Sequence, residues 1–162
     1  MAETSAEELR FRAQELMAEI TTLTLATTHD DIPWAATVFF AADAKFNLFF
    51  VSDHRTRHGR DVEINTNVAA TINPDCRDWN EIKGLQVRGT ISVVKGVERA
   101  KAMELYLKKF PQVDQLFRKP QDAQEETIAQ RLKAANIYKI TPAMIRVIDN
   151  ARGFGHRDEF VP

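Results

Sequence analysis

The chain has one cysteine, no surplus of positive charge, no long apolar run and no glycine-rich phosphate loop. Cys76 alone among 162 residues excludes an intramolecular disulfide framework and an all-cysteine zinc site. Lysine plus arginine number 22 against 23 acidic residues, a net charge of -1, so the basic excess of a general nucleic-acid binder is missing. No apolar run approaches the roughly 18 residues of a membrane span. The first residues, MAETSAEELRF, are acidic where a signal peptide is basic and then apolar. These absences predict a soluble, cytoplasmic protein with neither nucleic acid nor membrane as partner. Neither G-x-G-x-x-G nor G-x-x-x-x-G-K-[ST] occurs, so any phosphate site must be built another way.

What remains is globular in composition, with 44% apolar and 28% charged residues, and its length suits one domain over residues 1–162. Thr4 or Ser5 is placed to cap a helix over about residues 5–19, with Leu9, Ala13, Leu16, Met17 and Ile20 at helical spacing. TTLTLATT, PWAATVFFA and FNLFFVS read as three short strands joined by tight turns, an antiparallel meander. A short helix with Val62 and Ile64 follows, then a strand over 68–73 and a long alternation from Gly84 to Val94. In that alternation Leu85, Val87, Gly89, Ile91 and Val93 share one face, and Gln86, Arg88, Thr90 and Ser92 the other. A helical insertion spans about 97–134, with an ambiguous stretch at 112–120. Two further strands, at 137–140 and 144–148, are separated by Pro142. The tail from Asp149 has no period. The fold class expected is mainly β with helices: a six-stranded antiparallel split β-barrel with N-terminal and connecting helices.

SDHRTRHGR, residues 52–60, holds three arginines and two histidines but one acid, at a strand end running into a helix. Cations at a helix N-terminus oppose its dipole by about 0.3–1 kcal/mol each, and a bound anion reverses that account. Exposed amides, the Ser52 or Thr56 hydroxyl and the Arg55 or Arg57 guanidinium form a phosphate grip in one reading. In the other, this is a solvated turn whose arginines pair with Asp53, Asp61 and Glu63. Gln86 and Arg88 face either a heterocycle edge or water. Trp79 covers a flat ligand or packs at a boundary. His54 and His58 are four apart with no completing carboxylate, so no metal is expected. Cys76 has no neighbour in sequence to activate it as a nucleophile.

With those pieces in place, the chain resembles the FMN-binding split-barrel superfamily that contains pyridoxamine 5′-phosphate oxidase, and within it a bacterial branch of YhbP-like proteins. The resemblance is carried by TLTLATTHDDIPWAATVFFAAD, FNLFFVSDHRTRHGRDVEINTNVAATIN, IKGLQVRGT, AMELYLKKFP and DNARGFGH, about residues 20 to 156. It implies a homodimer with FMN in a groove between subunits and a small-molecule substrate or ligand. Thr56 and Arg57 fall on the family's phosphate-binding hydroxyl and arginine, and His58 where lysine is usual. Val51 and Ser52 match strand-end positions lining the flavin ring, Gln86 the glutamine approaching it, and Arg88 follows on the same face. Trp79 falls near an aromatic position preceding that strand. PWAATVFF lacks the family's second-strand arginine, and RGFGHRDEFVP carries no clear match to the substrate-phosphate arginine and histidine.

The resemblance thus implies an FMN-dependent, oxidoreductase-like protein acting on an unidentified small molecule. No catalytic acid or base is assigned, His156 being only a candidate. The alternative is a non-enzymatic flavin-, haem- or anion-binding module of the same fold, with His54, His58 and His156 as the sensible haem ligands. A third reading is a structural dimer with a degenerate pocket.

Overall fold

Helix α1 spans Ala6–Glu19 and begins where the Ser5 hydroxyl accepts the Glu8 amide at 3.1 Å, satisfying one of the first-turn donors. The computed structural model describes residues 5–162, so Thr4, the other cap expected, lies outside the described residues. Leu9, Ala13, Leu16 and Met17 turn inward from α1. Strands β1 (Thr22–His29) and β2 (Ile32–Ala42) form a hairpin with Thr27 opposite Trp34 and Ala26 opposite Ala35. Its two-residue turn, Asp30-Asp31, takes φ of 50° and 58°, the paired left-handed conformation that suits the twist of adjoining strands.

Then follow β3 (Leu48–Ser52), α2 (Arg57–Ile64), β4 (Asn67–Ile72) and β5 (Lys83–Val93). Helices α3 (Gly96–Lys109), α4 (Pro111–Arg118) and α5 (Ala123–Ala134) lead to β6 (Asn136–Asp149) and β7 (Arg157–Phe160). The strands form one antiparallel sheet in the order β3-β2-β1-β4-β5-β6-β7, with an additional pairing of β3 to β6. Leu23, Leu25, Phe40, Leu48, Phe50, Ile72, Leu85, Tyr138, Ile140 and Ile145 fill the core it encloses with α1. Each aliphatic or phenyl side chain buried this way contributes about 1.5–3 kcal/mol.

This corrects the expected six-stranded split barrel. Among the described residues the architecture is a mixed α/β fold, a seven-stranded antiparallel sheet with five helices. Two segments also depart from the expected pattern. The tail forms β7 on β6, four residues whose inward side chains are only half-buried, too short for a period to register. Pro142 does not divide the 137–148 region, because β6 bulges there against the Arg88/Gly89 step of β5; bulges accept a proline that a regular ladder rejects. Gly89 permits it, since a Cβ at that position would strike the Thr141 carbonyl oxygen. Among the described residues, no helix is long and apolar enough to cross a membrane.

Candidate functional site

The segment between β3 and α2 is pinned by its own side chains. The Asp53 carboxylate accepts the Arg55 amide at 2.9 Å and the Arg55 guanidinium at 2.6 Å, and these bonds hold its carboxyl far below the ordinary range. The Asp53 carbonyl accepts both the amide and the hydroxyl of Thr56, at 3.1 and 2.8 Å. Thr56 Oγ in turn accepts the Gly59 amide at 3.1 Å, capping α2. A Cβ at Gly59 would lie 2.6 Å from the His54 carbonyl oxygen, so glycine lets the loop fold back over the helix start. The Thr56 and Gly59 amides are therefore satisfied, and those of Arg57 and His58 are the first-turn donors with no intrahelical acceptor.

Arg57 is held on two sides. Its Nε donates to Asp61 Oδ1 at 3.1 Å, one turn along α2, and its guanidinium carbon stands 5.3 Å from the Trp34 ring centroid. Nε is one of five N–H donors in the fork, so four remain for a further acceptor, on a side chain 38% exposed. Asp61 itself is 1% exposed. Burial pushes its carboxyl up, but the Thr27 hydroxyl, donating at 2.8 Å, and the Arg57 bond outweigh burial and hold it below the usual range. His29 Nδ1 lies 3.8 Å from the same carboxylate.

His58 sits differently. It is buried, with Nε2 2.7 Å from Ser52 Oγ and its ring edge-on to Phe50 at 6.3 Å. Burial lowers its pKa from 6.5, only partly opposed by Asp61, so at neutral pH it is a neutral imidazole engaged with Ser52. Val51 and Ser52 are in ladder register with Ile137 and Asn136 of β6.

The remaining candidates stand apart from this cluster. Gln86 and Arg88 lie on the exposed face of β5. Gln86 Oε1 accepts from Arg146 Nη1 at 3.3 Å, and Arg146 pairs with Glu159 of β7. Arg88 is opposite Ala69 of β4 and Met144 of β6. Trp79, 58% exposed in a helical turn at 79–81, meets Phe154 edge-on at 5.8 Å, and its carbonyl accepts Asn150 Nδ2 at 2.7 Å. Val51, Ser52, Thr56, Arg57 and His58 are thus gathered around α2, while Gln86, Arg88 and Trp79 meet Arg146, Ala69 and Met144, and Phe154 and Asn150 instead. Two cavities of 410 and 610 Å³ against α3 are lined by none of the eight. Sequence reasoning gave Trp34 no role and Asp61 only a pairing role. The Arg57–Asp61 spacing of four was the available signal, whereas the Trp34 contact is made between elements.

The family model for pyridoxamine 5′-phosphate oxidase matches residues 9–148. A UPF0306 protein of Klebsiella pneumoniae is 29% identical over 136 residues, which cover 83% of this chain and 81% of that one. Among solved structures, a heme binding protein from Mycobacterium smegmatis aligns with a TM-score of 0.73 at 18% identity, over 99% of this chain and 60% of that one. A putative pyridoxamine 5′-phosphate oxidase from Listeria innocua aligns with a TM-score of 0.63 at 18% identity, over 86% of this chain and 98% of that one. The matched span runs from α1 into the last residues of β6, and the chain therefore belongs to the pyridoxamine 5′-phosphate oxidase family, with the UPF0306 proteins among its relatives.

Proposed function

We propose that the protein is a homodimeric binding module for a planar, phosphate-bearing small molecule, FMN, anchored through its phosphate at Arg57. The observation that carries this reading is the Arg57 guanidinium, fixed by Asp61 on one edge and Trp34 on one face, beside two first-turn amides of α2 that lack an intrahelical acceptor. A phosphate supplies the negative charge this helix start lacks: α2 has no acidic residue in its first turn. Thr56 shapes the loop, its proton being committed to the Asp53 carbonyl, and His58 and Ser52 hold each other. Arg88 shares a register row with three small residues, Ala26, Ala35 and Ala69, on the exposed face that also carries Gln86. A partner copy stacked there brings a second face to the ligand, which supports placing the ring of the flavin between protomers. When bound, flavin supplies hydride and electron transfer; the chain binds and orients it. An oxidoreductase reaction on a small molecule is the finer form of this reading.

Calorimetric titration of the protein with FMN and with riboflavin tests it. FMN is expected to bind much more tightly than riboflavin, and Arg57→Ala to weaken FMN by roughly 10- to 150-fold, the equivalent of one charge-assisted bond of about 1.5–3 kcal/mol. Equal affinity for both ligands, or no loss in the variant, removes the phosphate site from α2. Absence of flavin binding together with a Soret shift on adding haem moves the ligand class to haem, for which His54 is an exposed imidazole.

A further inference from the structure

Asp61 is a buried acid in a loop-and-helix segment rich in cations, and it joins two elements, α2 and β1. It extends from α2, accepts the hydroxyl of Thr27 on β1 at 2.8 Å, accepts Nε of Arg57 at 3.1 Å, and has His29 Nδ1, at the end of β1, 3.8 Å away. Thr27 is 2% exposed, so its hydroxyl is a fixed point of the sheet. The chain of bonds from Thr27 through Asp61 to Arg57 therefore ties the guanidinium to the sheet as well as to its own helix. Trp34, opposite Thr27 in the hairpin register, lies against the guanidinium. The result is a planar fork with its Nε edge occupied and its orientation set before any ligand arrives.

Resting on the anion-site reading above, we propose that Asp61 is a positioning residue, which presents the Nη edge of Arg57 to the ligand's phosphate and so sets the preference for phosphorylated over unphosphorylated ligands. A buried carboxylate beside an anion site otherwise works against binding, because like charges repel. The two roles therefore have opposite signs. If Asp61 acts only as a nearby negative charge, replacing it by asparagine tightens phosphate binding. If it holds Arg57 in place, the same replacement weakens it, since asparagine presents one neutral oxygen and an amide that repels the guanidinium donors.

The test is calorimetric titration of the full chain with FMN and riboflavin for the wild type, Asp61→Asn, Arg57→Ala and the double variant. Asp61→Asn is expected to reduce the FMN-to-riboflavin affinity ratio about 10-fold, as loss of outer hydrogen-bond partners does for metal ligands, with riboflavin affinity unchanged. The double variant is expected to be no weaker for FMN than Arg57→Ala alone, because the two residues act as one unit. An unchanged or increased ratio in Asp61→Asn overturns the positioning role while leaving the anion site intact. A wild type that does not prefer FMN overturns the site reading itself. Where Asp61→Asn fails to fold, Arg57→Lys decides: it keeps the charge but cannot address Asp61 and a phosphate through one rigid fork. The proposal requires it to lose the FMN preference nearly as fully as Arg57→Ala, and retention of that preference overturns it.

Discussion

At the scale of single residues, the histidine next to Arg57 shows how burial changes what a side chain can do. His58 follows Arg57 in a cation-rich loop, yet its imidazole is turned inward to Ser52 and Phe50. Because its folded pKa lies below 6.5, the unfolded chain binds the extra proton more readily. The stability it supports is complete above about pH 6.5 and is lost as pH falls toward the folded value. Chemical denaturation between pH 5 and pH 8 is expected to show a decline below about 6.5 that is flattened in His58→Asn. A slope unchanged by the substitution would assign the acid sensitivity to other groups. The pairing of Arg57 with Asp61 was legible from their spacing of four along a helix. The inward turn of His58 was not, because it depends on Phe50 of β3 lying under the helix.

Among the elements, the clearest periods became the expected ones: α1, the β1–β2 hairpin, and β5, which buries alternate residues from Leu85 to Ile91. Helix α3 turns part of its apolar set outward and part inward. Val97 is 73% exposed, whereas Met103 and Phe110 pack inward together with Ala102 and Tyr106. Tyr106 meets Phe110 at a 47° tilt with ring centroids 4.7 Å apart, and burial pushes its phenol up to about 12. One turn further, Lys109 Nζ donates to the carbonyls of Met17 and Ile20 at 2.7 Å each and lies 4.0 Å from the Phe40 ring centroid. These carbonyls end α1, where a cation complements the helix dipole, although burial lowers the Lys109 ammonium to about 8. Lys109→Met keeps the aliphatic stem and removes both bonds. We expect a loss of about 1.5–3 kcal/mol in urea denaturation, with α1 fraying first by hydrogen exchange. No destabilisation would show that relief of ammonium burial offsets the bonds.

For the whole molecule, the exposed face of β1, β2, β4 and β5 is the surface that the proposed dimer needs. Ala35, Ala26, Ala69 and Arg88 stand in one register row across four strands, about 14 Å at the usual strand spacing. The flanking Phe39 is 53% exposed. Sedimentation of the wild type is expected to give about 37 kDa, twice the 18.4 kDa chain. Ala69→Arg, which sets a long cation in the middle of the row, is expected to give the monomer with its far-UV circular dichroism unchanged. A wild type that is monomeric at micromolar concentration would refute the dimer.

The sequence by itself determined the strand and helix periods, the short turns, and the concentration of cations and hydroxyls between β3 and α2. These are local properties, set by alternation, capping and turn chemistry within a few residues. The tertiary structure decided the number of strands, because β7 is a strand only through its pairing with β6, and Pro142 is tolerated only opposite Gly89. It also decided which cation is presented. Arg55 is closed on Asp53 within its own loop, whereas Arg57 is oriented by Asp61, Thr27 and Trp34. The Thr27 and Trp34 contacts join α2 to β1 and β2, more than twenty residues away in sequence, and only packing brings such groups together.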